Sequence, residues 1–199
     1  MSTLKVKIMA TLCRQRPSKI MGADVNAQGG RYGNALQVAA ASFEDHDQVV
    51  QMLPDKGVSV NAQGGLYGNA LQAASSRGHD QVVRLLLDHD AVINRKDIQG
   101  RTPFHLASAG GHMETVKTLS SFGSDPTIID MQGRNCLHHA AFEGSIEIVN
   151  WLLKKDFNPN YADRDGWTSL HWAAKDGSVS IVEVLKAAGA GSTIEAIQG

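Results

Sequence analysis

Histidine is the residue in this sequence whose abundance first points to chemistry. The chain has 199 residues, with eight histidines and two cysteines, Cys13 and Cys136. Imidazole and thiolate groups bind zinc and act as catalytic groups, but such sites use tight spacings such as HExxH or CxxC. The sequence contains neither spacing, and it has no GxxxxGK[ST] phosphate loop or GxSxG motif. We therefore expect no catalytic residue, no metal site and no cofactor.

Three of the histidines occupy one position of a repeated pattern. His105, His138 and His171 follow one another at a constant interval, in the blocks GRTPFHLAS, GRNCLHHAA and GWTSLHWAA. A ring at this position would lie in the first turn of a short helix, where it can bond to backbone groups of the adjoining turns. The pattern favours a structural role for these histidines over a chemical one.

The residues around these histidines match the chemistry of a helix start. Thr102 precedes Pro103 as an N-cap precedes a proline at the first helical position, and Thr168 repeats the arrangement. Asn135 is a weaker version of the same signal. A glycine just before each helix suits a tight turn with positive φ. The predicted structural residues are Thr102, His105, His138, Thr168, His171, Gly100, Gly133 and Gly166.

The same period extends through most of the chain. Blocks GNALQVAA and GNALQAAS begin at Gly33 and Gly68, and each unit also has a second block with apolar residues at helical spacing. A fixed period of about 33 predicts a solenoid array and not one globular core. We predict a degenerate segment or partial cap over 1–19, an array over 20–189 with repeats at about 29–61, 64–96, 97–129, 130–162 and 163–191, and a tail over 190–199.

The helical blocks predict which side chains are buried. In the fourth unit the apolar stripe is Ile146, Val149, Leu152 and Leu153, and Trp151 and Trp172 fall on stripes that we assign to the core. Alanines allow the helices to approach closely. They are Ala39, Ala40, Ala73, Ala74, Ala107, Ala140, Ala141, Ala173 and Ala174.

The first two units differ from the other three. Gln37 and Gln72 replace the histidine, and the stretches VNAQGGRYGNALQ and VNAQGGLYGNALQ indicate one added residue before each helix. Pro54 should end the second helix of the first unit at or before Leu53. We expect the N-terminal end to fray first, with weak self-association through residues 1–60.

The pattern resembles the ankyrin repeat family, whose consensus includes T-P-L-H-x-A. Residues 102–107 read TPFHLA and residues 168–173 read TSLHWA. The resemblance implies an all-α solenoid of about five helix-turn-helix repeats with β-hairpin fingers, and a protein that binds other macromolecules. The first two units are similar to ankyrin arrays of filamentous fungi, which are often carried behind a NACHT-type nucleotidase domain.

The resemblance also implies where a partner binds. The binding face of the family is built from the finger tips and the outward side of the first helix of each repeat. Carried over by position, the predicted partner-binding residues are Arg31, Tyr32, Leu66, Tyr67, Ile98, Arg101, Met131, Arg134, Phe142, Arg164, Trp167 and Lys175. Trp167 could instead pack on its neighbours, and for Tyr32 and Tyr67 the two roles are equally favoured.

Charge and composition limit the kind of partner. The net charge is −1 and no basic run occurs, which argues against nucleic acid as the main ligand. No run reaches 18 apolar residues, so we expect no membrane partner.

Two cysteines are typical of a reducing compartment, so we expect a cytoplasmic protein, with a nuclear location as the alternative. The segment 1–19 has five basic residues and no acid, a composition also typical of a transit peptide.

Two functions fit the sequence. The first is a non-catalytic protein–protein interaction module with a protein partner whose identity the sequence does not give. The second is the ligand-sensing array of a larger NACHT-like protein whose catalytic domain lies outside this chain.

Overall fold

The computed structural model describes residues 34–41, 59–65 and 68–191, and these ranges contain nine helices. They are α1 (Ala35–Ala41), α2 (Ala70–Ser75), α3 (Asp80–Asp88), α4 (Pro103–Ala109), α5 (Met113–Ser121), α6 (Cys136–Phe142), α7 (Ile146–Leu153), α8 (Ser169–Asp176) and α9 (Val179–Ala187). The chain divides into two compact units, Met1–Ile93 with α1 to α3 and Asn94–Gly199 with α4 to α9.

The helices pack as repeating pairs. In the second unit α4 packs on α5, α6 on α7 and α8 on α9, while α6 also contacts both α4 and α8. In the first unit α2 contacts both α1 and α3. The predicted all-α repeat fold is therefore confirmed. No strand occurs within the described ranges, where Ala162 and Thr168 form an isolated antiparallel bridge, so the β-hairpin fingers stay a prediction.

The first helix of each pair is short and rich in buried alanine. Ala74, Ala107, Ala140 and Ala173 occupy one equivalent position and are fully buried. Small side chains here let the first helices within a unit approach closely, which helices of six to eight residues need because they are marginal alone. Ala174 is the exception to the predicted set, since it is exposed on α8.

The second helices bury a narrow stripe, and its members differ from the predicted ones. In α7 the buried residues are Ile148, Val149 and Leu152, whereas Ile146 is exposed and Leu153 is half-buried. The prediction chose Ile146 because it shares a helical face with Val149 and Leu153. Ile146 is the first residue of α7, however, and at that end of the helix it is 37% exposed.

The N-caps follow one another at a constant interval from the second repeat onwards. Asn69, Thr102, Asn135 and Thr168 are equally spaced along the chain. The backbone bond from Gly64 N to Gly68 O also has the same span as the bond from Asp97 N to Arg101 O in the next repeat. The prediction of one added residue before α2 is therefore wrong. It arose because Gly68 was aligned with Gly100, whereas the structure makes Gly68 equivalent to Arg101.

A row of asparagines holds the loops that follow the second helices, and the sequence reading missed it. Asn61 Nδ2 donates to Asp90 O (2.9 Å) and its Oδ1 accepts from Val92 N (2.8 Å). Asn160 makes the same two bonds, to Gly189 O (3.0 Å) and from Gly191 N (2.7 Å). Asn94 Oδ1 accepts from the backbone at 125, also 31 residues downstream. The recurrence of asparagine one repeat length after Asn61, at Asn94, was the available signal.

Several predictions fall outside the described residues. These are the character of segment 1–19, the end of a helix near Leu53 and Pro54, and self-association through residues 1–60. In the ranges that the structure does describe, the helices are all too short or too polar to cross a membrane.

Candidate partner-binding surface

Each first helix begins with a reciprocal pair of residues. Thr102 N donates to His105 Nδ1 (3.2 Å), and Thr102 Oγ1 lies 2.9 Å from the same ring nitrogen. Thr168 and His171 repeat the arrangement at 3.1 and 2.9 Å. Because Nδ1 accepts from a backbone N–H, the proton of each neutral ring is placed on Nε2. These rings complete the capping of a helix through Nδ1.

Asn135 makes a more complete cap than the sequence indicated. Its Oδ1 accepts from Leu137 N (3.1 Å) and His138 N (3.2 Å), and its own N–H donates to His138 Nδ1 (3.2 Å). The neighbouring Cys136 stands where α4 has a proline. The expectation of a weaker helix start at this position is therefore wrong.

Gln37 and Gln72 cap the first helices of the first two repeats, as histidines do in the later repeats. Asn34 N donates to Gln37 Oε1 (2.6 Å), and Asn69 N donates to Gln72 Oε1 (2.9 Å). Gln37 Nε2 then reaches the carbonyl oxygens at 62, 64 and 68 at 2.8–3.2 Å. His138 Nε2 makes the equivalent contact to Trp167 O at 3.2 Å. Both side chains cap one helix and bind the turn before the next.

Burial keeps two of the rings neutral. His105 and His138 are 1% exposed. Desolvation, together with the nearby His139, lowers the pKa of His105 to about 4, while the Asp130 carboxylate opposes the shift. Desolvation also lowers the pKa of His138 to about 4, against the opposing charge of Asp163. In both rings Nδ1 accepts a backbone N–H, so the lone pair that would bind a metal or take up a proton is already engaged.

An aspartate organises the turn before each first helix in the second unit. Asp97 Oδ1 accepts from the backbone N–H groups of Gln99 and Arg101, both at 2.8 Å, and its Oδ2 is 2.8 Å from the Arg101 guanidinium. Asp130 binds Arg134 in the same way. The two arginines, predicted as partner contacts, are therefore partly committed to the turns.

Asp130 has one further partner, His139, whose Nε2 lies 3.0 Å from Oδ2. Burial alone would raise the pKa of Asp130, but the hydrogen bonds from His139 and Arg134 outweigh it and hold the pKa well below its usual range. The sequence left His139 without a role. The equal spacing of Asp97, Asp130 and Asp163 along the chain would have indicated this carboxylate row.

In the last described repeat the aspartate has an indole partner. Asp163 Oδ1 accepts from Trp167 N (2.9 Å), and its Oδ2 accepts from Trp172 Nε1 (2.8 Å). Position 167 holds tryptophan where the two preceding repeats hold arginine. Trp172 replaces the arginine as the Oδ2 donor, which leaves the Trp167 ring without a role in holding the turn.

The turns of the second unit are joined by backbone hydrogen bonds. Met131 N donates to Gln99 O and Arg164 N donates to Gln132 O, both at 2.9 Å. The approach is close at Gly100, where an added Cβ would lie 2.9 Å from Met131 N. This stacking fixes the positions of the predicted tip residues relative to one another.

The predicted tip residues project from these stacked turns. The side chain of Ile98 is 90% exposed and that of Met131 is 55% exposed, and Arg164 is exposed as well. Apolar side chains this accessible contribute nothing to the core. Four predicted contacts lie outside the described residues: Arg31, Tyr32, Leu66 and Tyr67.

Three of the predicted contacts meet in one cluster, which we call the aromatic cluster: Phe142, Trp167, Trp172 and Lys175. The Trp172 ring packs against Trp167 at an interplanar angle of 54° (centroids 5.1 Å apart) and meets Phe142 edge to face (5.3 Å). The Lys175 ammonium lies 4.7 Å from the Trp172 ring centroid. Arg134, from the preceding turn, lies 5.6 Å from the same ring. Phe142 and Lys175 are exposed and both tryptophans are half-buried.

The assignment of two tryptophans to the core is wrong. Trp172 is half-buried because its indole N–H has to reach Asp163 at the surface turn. Trp151 is half-buried as well, and it lines a shallow groove between α5 and α7 with Met113, Lys117 and Glu147 among its neighbours. The Trp151 ring packs on Phe104, with centroids 6.3 Å apart, and the Lys155 ammonium lies over it.

The described residues were also compared with the arrangements that metal binding and thiol chemistry require. Within 34–41, 59–65 and 68–191, no group of three or more His, Cys, Asp or Glu side chains is arranged to hold a metal ion. Cys136 is fully buried, and desolvation raises the pKa of its thiol far above the usual value. A protonated, inaccessible thiol is not a nucleophile.

Comparison with known families agrees with the helix pairs and the capped turns. A family model described as "Ankyrin repeats (3 copies)" matches residues 36–130 and residues 114–196, which together span most of the chain. The chain belongs to the ankyrin repeat family. Ankyrin repeats in general mediate protein–protein interactions, and proteins built from them are typically non-catalytic. Among curated proteins, none matches this sequence significantly.

Proposed function

We propose that this chain is a non-catalytic module that binds a protein partner through the stacked turns and the first-helix face of its second unit. The contact residues are Ile98, Arg101, Met131, Arg134, Phe142, Arg164, Trp167 and Lys175. By sequence position the contacts extend to Arg31, Tyr32, Leu66 and Tyr67 in the first unit.

The observation that carries this proposal is the aromatic cluster together with the exposed tips. Trp167 has no hydrogen bond from its indole N–H to another described residue, and the Ile98 side chain is almost fully exposed. Tryptophan, arginine and methionine are enriched at the centres of protein interfaces, where aromatic anchors supply much of the affinity. Side chains of these types, held in place by rigid turns and absent from the core, are suited to recognition.

The proposal is tested with variants that alter the surface and leave the core intact. Proteins captured from a lysate by the native chain are purified and their affinity is measured for Ile98→Ser and Trp167→Ala. We expect Trp167→Ala to weaken binding of the true partner more than ten-fold, since interface anchors carry about 2 kcal/mol or more. Circular dichroism melts report whether each variant is folded, and we expect stability within about 1 kcal/mol of the native chain.

Val179→Ser is the matched control, because Val179 is also an exposed apolar residue, 67% exposed at the start of α9. Its change should leave partner affinity unaltered. If both interface variants are folded and bind the partner as tightly as the control, the proposed surface is not the interface. Loss of binding in Val179→Ser alone would assign the second-helix side instead.

The second candidate is the ligand-sensing array of a larger NACHT-like protein. It is favoured by the stretches VNAQGGRYGNALQ and VNAQGGLYGNALQ of the first two repeats, which are similar to fungal arrays of that kind. A phosphate-loop domain encoded in the same reading frame would support it. Transcript sequencing that finds no such domain joined to this chain would overturn it.

A further inference from the structure

Three rings of the aromatic cluster lie around the Lys175 ammonium, which is a cation of the chain itself. The Lys175 Nζ lies 4.7 Å from the ring centroid of Trp172, 5.3 Å from that of Trp167 and 6.0 Å from that of Phe142. A cation within about 6 Å of a ring face is attracted by the ring quadrupole, most strongly for tryptophan. The rings therefore form a cage for an ammonium group, with two tryptophan walls.

The cage is held from outside, so its shape does not depend on Lys175. The Trp172 indole is fixed by its bond to Asp163 (2.8 Å), and Phe142 meets Trp172 at an interplanar angle of 87°. Trp167 is anchored through its backbone, which donates to Asp163 Oδ1 and accepts from His138. The cage would therefore persist if Lys175 left it.

Lys175 itself is weakly held. Its side chain is exposed, and none of the carboxylates in the described ranges forms an ion pair with it. The other cation near Trp172, the Arg134 guanidinium, differs because Asp130 binds it at 2.8 Å. A primary ammonium on a flexible stem is strongly hydrated, so Lys175 gives up little when it moves into water.

We propose that this cage is a binding site for a methylated lysine side chain of the protein partner, with Lys175 as its resident occupant in the free protein. The proposal rests on the function proposed above and adds the chemistry of the partner group. A quaternary ammonium is larger and less hydrated than the Lys175 ammonium, so it loses less on leaving water and contacts all three rings at once. Displacement of Lys175 costs little, since the side chain returns to solvent.

The first experiment uses choline chloride as the probe and the three indole N–H signals in the NMR spectrum as the readout. We expect choline to shift the signals of Trp167 and Trp172 and to leave that of Trp151 unmoved, because Trp151 lies in the separate groove. The neutral isostere 3,3-dimethylbutan-1-ol should cause no comparable shift. Equal effects of the two probes, or an equal shift at Trp151, would show that no cation site exists.

Removal of the resident cation should open the site. In Lys175→Ala the three rings remain, and we expect choline to bind about three-fold more tightly than to the native chain. Adding Trp167→Ala to that variant removes one wall, and choline binding should be lost while the hydrogen-bonded Trp172 signal still reports a folded protein. Unchanged or weaker choline affinity in Lys175→Ala would overturn the role of Lys175 as a displaceable occupant.

The last experiment identifies the source of the cation. A short peptide carrying trimethyllysine between glycines should bind Lys175→Ala at least ten-fold more tightly than the same peptide with unmodified lysine. Co-sedimentation with phosphatidylcholine vesicles in place of peptide binding would assign the site to a lipid headgroup and overturn the proposal. If partner binding depends on Trp167 but neither choline nor the peptide binds, the proposed interface survives and the methylated-lysine assignment fails.

Discussion

His105 and His138 are structural residues whose charge state matters to folding. Each ring accepts a backbone N–H at Nδ1, and burial lowers the pKa of both side chains to about 4. In the unfolded chain the pKa of histidine is about 6.5. The folded state therefore binds fewer protons than the unfolded state between these values, and the stability contribution of the neutral rings is complete above pH 6.5 and falls as the pH drops towards 4.

The residue-scale prediction concerns acid stability. As the pH falls from 7 to 5, each of the two histidines should lower the free energy of unfolding by about 2 kcal/mol. His105→Gln and His138→Gln should flatten this dependence, since Gln37 and Gln72 show that glutamine makes the same cap. Urea titrations at the two pH values measure the difference. An unchanged pH dependence in the double variant would mean that other groups cause the acid instability.

Asp130 gives a separate acid response at lower pH. Its pKa is held below the usual value by His139 and Arg134, so its stabilising effect is present above about pH 4 and is lost as the pH falls further. The histidine and aspartate contributions therefore occupy different pH ranges, and a titration between pH 7 and pH 5 reports the histidines.

The elements of the second unit are joined at their turns as well as at their helices. Gly100 and Gly166 share nearly the same backbone conformation, with φ of +79° and +78°. They differ in their neighbours, because a Cβ at Gly100 would meet the backbone of the next turn, whereas one at Gly166 would have no atom within 4 Å. Alanine at Gly166 therefore tests only the cost of a left-handed residue. Alanine at Gly100 adds the cost of forcing two neighbouring turns apart.

The element-scale prediction compares alanine at these two glycines. Gly166→Ala should lose about 1–2 kcal/mol, the cost of a left-handed alanine. Gly100→Ala should lose about 1–2 kcal/mol more, because its Cβ would force the turn at Met131 away and weaken the bond from Met131 N to Gln99 O. Chemical denaturation measures both variants. Equal losses would show that the turns of the second unit do not stabilise one another.

At the scale of the molecule, stability in a repeat array comes from contacts between neighbours. Within the second unit, α6 has first-helix neighbours on both sides, α4 and α8, and its core-facing residues are fully buried. In a nearest-neighbour array a repeat with two partners opens less often than a repeat with one. The helix pair α6 and α7 should therefore be the last part of this unit to open.

The whole-molecule prediction is read out by amide hydrogen exchange. Amides of α6 should exchange at least ten-fold more slowly than those of α8, which corresponds to about 1.4 kcal/mol of opening free energy. The backbone amide of Ile98, an exposed turn residue whose N–H donates to no other described residue, serves as the unprotected reference. Faster exchange in α6 than in α8 would contradict a nearest-neighbour array in this unit.

The sequence by itself determined the family, the helical class and the positions of most helix starts. This was possible because capping, tight turns and apolar periodicity are local, and the fixed period of the chain repeats each signal several times. The same local rules gave two wrong predictions. Gly68 was aligned with Gly100 by residue type, although its structural equivalent is one residue later, and the cap at Asn135 was predicted to be weaker than it is.

The tertiary structure alone decided which side chains meet across repeats. Trp172 was assigned to the core because helical periodicity counts apolar positions, whereas its indole N–H reaches Asp163, nine residues earlier and in a different element. Phe142 and Lys175 come from helices one repeat apart, so no local pattern could place the ammonium among three rings. Contacts of this kind depend on the spacing and direction of stacked helices. The packing of buried alanines sets both, and no local pattern along the chain displays them.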